Sequence, residues 1–367
     1  MIFDKIKKNF GFGVMRLKMN ENEVDYDEFN KMIDIFMDAG YNYFDTAHGY
    51  IDGKSEVAIH DCLVSRYDRE DYFLANKLSP WFFEKEEDIL PMFESQLKIC
   101  GVDYFDAYFF HTVHRNNYPK YKDANAFEII GKLKEQGKIK HIFMSFHDTA
   151  DFLDEVLNEQ GDLIEAVQLM FNYLDYDDPN TQSRACYDVA VKHGKKVIVM
   201  EPVRGGALAN LSPKALDTLK EAGDVTPASF ALRFGASHSE VIMVLSGMGT
   251  VDMVKENIKT MSDFVPFTQK EYDIAKKIRG IIRDEKQVPC TNCRYCTDVC
   301  PENIPIPGIF KAYNGYLSAS VSKNEAKTNL PDDKKASDCI KCGKCEEVCP
   351  QKIKIREHLE KVSETFK

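Results

Sequence analysis

Eight of the chain's eleven cysteines fall between Cys290 and Cys349, in two copies of one spacing. Cys290, Cys293, Cys296 and Cys300 precede Pro301, and Cys339, Cys342, Cys345 and Cys349 precede Pro350, so both runs read C-x2-C-x2-C-x3-C-P. A tight loop at that interval turns three thiolates inward onto three irons of one cubane 4Fe-4S cluster, and the fourth cysteine, rotated away on the following turn, reaches a second cluster. One cluster is then expected on Cys290, Cys293, Cys296 and Cys349, and the other on Cys339, Cys342, Cys345 and Cys300. Zinc is the competing occupant. Tetrahedral zinc sites favour two C-x2-C pairs on separate knuckles and have no use for a third cysteine at the same interval. A disulfide framework belongs to small secreted domains, whereas two identical spacings ask for metal. Cys62, Cys100 and Cys186 are scattered through helical-looking segments and read as reduced core residues.

The rest of the chain must supply a scaffold for whatever chemistry accompanies the clusters. From residue 9 to about 247, short apolar or β-branched runs alternate with longer amphipathic stretches, the signature of βα repeats. Strands are expected at 9–15, 41–47, 72–78, 105–111, 139–146, 163–171, 195–202 and 241–247. Between them, DYDEFNKMIDIFMDAG places Phe29, Met32, Ile33 and Phe36 at helical spacing, with Gly40 positioned to end the helix. EDILPMFESQLKICG and DANAFEIIGKLKEQGK repeat the theme. Eight strands with intervening helices close a barrel or form an open doubly wound sheet, and periodicity does not choose between them. After a helical run to Asn257 and the stretch TQKEYDIAKKIRGIIRDEK, the composition shifts abruptly at Val288 and Pro289. The boundary is therefore placed near Glu285, giving domains 1–285 and 286–367. Residues 318–337, polar and punctuated by Pro331, Asp332 and Asp333, read as a connector between the cysteine runs.

Composition narrows the partners. Hydrophobic residues make up 44% and charged residues 29% of 367, enough apolar material for one large core and one small appendage. A formal net charge of -11 with no long Lys/Arg block argues against nucleic acid and anionic membranes as partners. The opening MIFDKIKKNFGFGVMRL has no apolar core of a signal peptide, and no stretch approaches a membrane span. A cytoplasmic protein is expected.

The phrase NYFDTAHGYIDGKSE, residues 42–56, closely resembles the aldo-keto reductase family, whose members carry Asp-Thr-Ala followed by a tyrosine and Gly-x-Ser-Glu. Further matches arrive in family order: GFGVMRL at the first strand, ANKLSP with Lys77, DAYFFH with His111, MSFH, AVQLMFNY, MEPVRGGAL and VLSGMGTVDMVKEN. The similarity covers residues 9 to about 285, and one branch of the family carries a ferredoxin-like tail. The resemblance implies a (β/α)8 TIM barrel followed by a small α-helical ferredoxin-like domain with two 4Fe-4S clusters. Position supports this independently, because barrel enzymes place their chemistry at the C-terminal ends of strands. Asp45, Lys77, His111, Ser145, Gln168 and Gly247 all fall at or near such ends, with Tyr50 just beyond.

In the family's scheme Tyr50 would be the general acid, Lys77 its tuner, Asp45 the anchor of Lys77, and His111 the group that polarises the substrate carbonyl. The chemistry is sound: a tyrosine with a pKa near about 10 is a weak acid, and a neighbouring ammonium favours its phenolate. Ser145 and Gln168 match positions that bind the nicotinamide carboxamide. Gly205 and Gly206 in one turn, Ser246 with Gly247 in another, and Asn257 on the following helix would face the rest of the cofactor. The sequence departs from the family at Phe146 and His147 after the serine, at Met200 in place of a stacking aromatic, and in having Lys255 as the only cation between Gly247 and Asn257. NADP and NAD both stay open. Trp81, His114 and Arg115 lie just past strand ends, where loop residues can line a substrate pocket, but ordinary surface packing is the favoured reading.

A nicotinamide gives a hydride whereas a 4Fe-4S cluster passes single electrons, and three readings relieve that tension. The favoured one is reduction of a small carbonyl, or oxidation of an alcohol, with clusters that are structural or mediate docking. In the second, a flavin occupies the barrel and the clusters connect it to a ferredoxin or flavodoxin-like carrier. In the third, the protein is an electron-transfer partner alone, which would leave the Asp-Tyr-Lys-His set without a job.

Overall fold

The computed structural model describes residues 3, 5–332 and 334–367; Asp333 of the expected connector lies outside them. The choice between barrel and open sheet falls to the barrel. Ten strands form among the described residues: β1 (Phe10–Gly13), β2 (Met19–Asn20), β3 (Glu23–Val24), β4 (Tyr43–Asp45), β5 (Phe73–Leu78), β6 (Phe105–Val113), β7 (Ile139–Phe146), β8 (Ala166–Met170), β9 (Lys196–Met200) and β10 (Val241–Gly247). Eight of them close in the order β1-β10-β9-β8-β7-β6-β5-β4, every neighbour parallel. All eight expected strands are present, several shortened at their ends. The run at 163–171 starts pairing only at Ala166, because Leu163 and Ile164 still bond back to the Gln160 carbonyl at the end of the preceding helix. The antiparallel pair β2-β3 was not foreseen: two residues per strand carry no readable period.

Alternation along the strands fills the barrel. Tyr43, Phe73, Ala75, Ala107, Phe109, Phe143, Ala166, Ile198, Met243 and Leu245 form one buried cluster. Gly11 is required among them, since a Cβ there would lie 2.5 Å from Leu245 and 2.8 Å from Tyr43. Side chains two residues further along the same strands keep the same inward direction. Tyr43 leads to Asp45, Ala75 to Lys77, Phe109 to His111, Phe143 to Ser145 and Ala166 to Gln168. The helix Tyr26–Asp38 buries Phe29, Met32, Ile33 and Phe36, starts at Asp25, whose side chain accepts from the Glu28 amide, and gives way to Gly40 at φ 81°. Cys62, Cys100 and Cys186 are buried, as a core role requires.

Packing divides the chain into two compact units, one made of residues up to Pro202 with Leu232–Pro266, the other of Val203–Ala231 with Phe267–Lys367. The second unit thus gathers the helix Gln269–Asp284 and an excursion after β9 together with the cysteine-bearing tail. That grouping rests on contacts such as Phe230 on Phe267 and Lys277 with Glu221, which chain order does not reveal. Within the tail, Val288, Ile304, Ile306, Ile309, Phe310, Ile353, Ile355, Leu359 and Val362 build a separate small core, against which the cysteine loops pack. No helix among the described residues is long and apolar enough to cross a membrane.

Candidate functional site

The inward residues at the C-terminal ends of the barrel strands converge. Lys77 Nζ donates to Asp45 Oδ1 at 2.5 Å and to the Thr46 carbonyl at 2.7 Å, with Lys77 fully buried. Its ammonium stands 4.8 Å from the centre of the Tyr50 ring, and that ring meets His111 edge-on at 5.8 Å. Burial pulls Lys77 below the ordinary lysine value while Asp45 pushes it back up. Burial likewise raises Asp45, opposed by Lys77 and by Gln168. The pair is therefore a charge held in place by contact rather than by solvent.

Tyr50 sits on a turn in which Ile51 and Asp52 both adopt φ 53° and Gly53 φ 82°. The turn is anchored from below. Ser55 Oγ donates to the Val14 carbonyl at 2.8 Å and shares a 2.7 Å bond with Thr46 Oγ1. Glu56, fully buried, accepts from Asn76 Nδ2 at 2.7 Å and Gln96 Nε2 at 3.2 Å, and meets His48 Nδ1 at 2.8 Å. That hydrogen bond raises His48 above the ordinary histidine value. The Gly-x-Ser-Glu phrase is thus the foundation of the tyrosine turn, a role its residue types alone did not disclose.

His111 is held at three points. Ser79 Oγ lies 2.6 Å from its Nδ1, Tyr121 donates to its carbonyl at 2.6 Å, and the Trp81 ring meets it edge-on at 5.7 Å. Burial, then Lys77 and His147, hold its imidazole well below the usual value, so it is neutral at neutral pH. Ser79 was overlooked in the sequence, although it stands two residues beyond Lys77 and so on the same side of the chain. Trp81, 42% exposed, does more than cover surface, whereas Arg115 pairs outward with Asp151 and Glu155.

The remaining positions are arranged around this centre or apart from it. Ser145 Oγ accepts from the Thr112 amide at 2.7 Å, and Ser246 Oγ from Asn257 Nδ2 at 3.2 Å. Gly247 is closed in by Arg16, which pairs with Glu201 at 3.0 Å. At the start of the helix Val251–Ser262, the Val251 amide donates to Glu28 Oε1 at 2.9 Å. Gly205 and Gly206, at φ 62° and 95°, belong to the second unit.

In that second unit Cys290, Cys293, Cys296 and Cys349 line one cavity with Thr291, Gln351 and apolar neighbours including Ile306 and Phe310. Burial raises the Cys296 thiol, and Cys293, Cys290 and Cys349 add to it. Cys345 is pushed up to about 11 by burial, then Glu346, Cys339, Cys300 and Cys342. The cysteine from the second run, Cys349, thus joins three from the first around one cavity. Among the described residues, no group of three or more His, Cys, Asp or Glu side chains is arranged to hold a single metal ion.

The family model of the aldo/keto reductases matches residues 9–279, and that of a 4Fe-4S dicluster domain matches residues 289–354. An NADH-specific methylglyoxal reductase of Escherichia coli is 26% identical over 275 residues, 63% of this chain and 82% of that protein. Protein REDOX 2 of Catharanthus roseus is 37% identical over 135 residues, 30% of this chain and only 40% of its own length. An aldo-keto reductase from Bacillus halodurans superposes with a TM-score of 0.62 at 24% identity, over 74% of this chain and 91% of that one.

Proposed function

Because the chain belongs to the aldo/keto reductase family and carries a 4Fe-4S dicluster domain, we propose that it interconverts a small carbonyl compound and its alcohol with a nicotinamide cofactor, Tyr50 handling the proton. The observation that carries this reading is the buried Lys77–Asp45 pair lying 4.8 Å beneath the Tyr50 ring. A bound nicotinamide supplies or takes up the hydride. In reduction Tyr50 gives its hydroxyl proton to the carbonyl oxygen, and the phenolate left behind is stabilised by the Lys77 ammonium. Asp45 and the Thr46 carbonyl keep that ammonium charged and aimed. His111, being neutral, acts as a hydrogen-bond donor to the same oxygen rather than as a proton source. This role requires the imidazole proton on Nε2, and Ser79 Oγ, 2.6 Å from Nδ1, would then be the donor of that bond.

Ser145, Gln168, Ser246, Gly247 and Asn257 are proposed to hold the nicotinamide nucleotide. Ser145 spends an oxygen lone pair on the Thr112 amide and retains its hydroxyl proton for a carboxamide. The cysteine cavity suits an iron-sulfur cluster: four cysteines line it, with Thr291, Arg294 and Gln351 on its border and apolar residues such as Ile306 and Phe310 filling the rest of the wall. Two 4Fe-4S clusters are proposed, on the two interleaved sets, and when loaded they store single electrons.

Glu28 points to NADH over NADPH. It already occupies the first amide of the helix after Gly247, so a 2'-phosphate arriving there would meet a carboxylate instead of a free helix terminus. Methylglyoxal and other small aldehydes, assayed anaerobically with each cofactor, test the proposal. NADH should be consumed at least tenfold more efficiently in kcat/KM, and Glu28→Gln should narrow that preference by about tenfold, roughly 1.4 kcal/mol. Carbonyl-independent bleaching of the clusters by NADH, with no alcohol formed from any substrate, would instead favour a flavin in the barrel.

A further inference from the structure

Ser79, the first residue past β5, and His111, near the end of β6, are both buried, and Ser79 Oγ stands 2.6 Å from His111 Nδ1. Distance alone permits either atom to be the donor. Burial separates the two cases. A serine hydroxyl has one proton to give and two lone pairs to accept with. Among the described residues, His111 Nδ1 is the one hydrogen-bond partner of the Ser79 hydroxyl. If Nδ1 carried the proton and donated it to Oγ, the serine's own proton would be shut in, at 1% exposure, with no acceptor. With the bond in the opposite sense, every buried proton of the pair is used and only oxygen lone pairs are left over. A stranded donor costs more than an under-used acceptor, so the serine donates.

The backbone around the pair leaves it little freedom to separate. The Tyr121 hydroxyl, fully buried, lies 2.6 Å from the His111 carbonyl and 3.0 Å from the Leu78 carbonyl, and so ties the end of β5 to β6. The Ser79 carbonyl accepts from the Phe82 amide at 3.2 Å, and the Trp81 ring between them in sequence meets the imidazole edge-on.

We propose, on the carbonyl-reduction reading above, that Ser79 is a positioning residue: its hydroxyl donates to Nδ1 and holds His111 as the tautomer whose proton is on Nε2, the nitrogen left for the substrate oxygen. The same bond divides the labour between His111 and Tyr50. An imidazolium carries a proton on each nitrogen, so charging His111 would break the Ser79 bond and strand the serine proton. A hydrogen bond made to the neutral form disfavours the charged one. His111 therefore orients and polarises the carbonyl, and delivery of the proton falls to Tyr50.

Nuclear magnetic resonance of the full chain, labelled with 15N at histidine and with the His111 signals assigned by their loss in His111→Gln, is the test. The wild type at neutral pH should show His111 protonated at Nε2 and bare at Nδ1. Ser79→Ala should shift His111 toward the Nδ1-protonated form and lower kcat by about tenfold, less than the roughly 10² to 10³ that loss of an oxyanion donor costs, with the KM for the nicotinamide cofactor unchanged. Ser79→Thr, which keeps the hydroxyl, should recover the wild-type tautomer and most of the rate. A wild-type His111 protonated at Nδ1 would overturn the assignment without any Ser79 variant having to fold, and so would a Ser79→Ala protein that keeps the wild-type tautomer. A wild type with the expected tautomer that reduces no carbonyl would overturn the reaction itself, a failure distinct from a working reductase whose imidazole ignores Ser79.

Discussion

Tyr50→Phe should lower kcat for carbonyl reduction by about a thousandfold, within the range of about 10² to 10⁴ that a lost general acid costs. The variant keeps the ring that meets His111 edge-on and lies over Lys77, so packing at the site is preserved and only the hydroxyl is removed. Cofactor binding, measured by quenching of NADH fluorescence, should therefore be unchanged, as should the visible absorption of the iron-sulfur module. That combination discriminates between readings. If reduction persists in Tyr50→Phe, the proton comes from elsewhere and the tetrad assignment is wrong. If the wild type passes electrons to an external carrier and the variant does so equally well, the barrel is a scaffold.

The second large effect is on stability. Glu56→Ala should destabilise the protein by about 3 kcal/mol, because it takes the carboxylate acceptor from the buried Asn76 Nδ2 and removes the partner of His48, whereas Gln96 Nε2 keeps Asn76 Oδ1 and the Lys77 carbonyl. Thermal denaturation should register it as a lower midpoint, and Glu56→Gln, which keeps the volume and one acceptor, should lose less. A pH signature accompanies it. The folded protein holds His48 above the ordinary histidine value, so the His48 contribution is fully present below about pH 6.5 and disappears as pH rises through the raised value. The wild type should show that decline and Glu56→Ala should not. Because the same network underlies the Tyr50 turn, the alanine variant should also lose activity at temperatures where it is still folded. Unimpaired activity there would show that the turn holds its shape without Glu56.

How much of this was legible beforehand depended on range. The eight barrel strands announce themselves because each is a local apolar run, and the catalytic candidates because their strand-end positions share one parity with the barrel core. The cysteine sets were legible because ligand spacing is itself local. What escaped was tertiary. Ser79 is one serine among many until the fold sets it 2.6 Å from an imidazole, and Gln96 is an ordinary helical residue until it meets Glu56 forty positions away. Gly205 gives a further case: its backbone lies so close to the Thr291 carbonyl that a Cβ would sit 2.0 Å from it, a contact between distant segments that local sequence does not report. Glu28 on the Val251 amide joins residues separated by 223 positions, which no periodicity reports.

The interleaving of the cysteine runs has a consequence for biogenesis. Three walls of the first cavity are in place once Cys296 has been translated, but the fourth arrives only with Cys349. The barrel strands, complete at Gly247, can close while the ribosome is still working through the tail. On the interleaved sets proposed above, neither can be finished during that interval, since each waits on the other run. On the proposed ligand sets, iron and sulfide are taken up only once nearly the whole chain has been made and the barrel is already shaped, and a chain cut between the two runs should forfeit both centres at once rather than keep one.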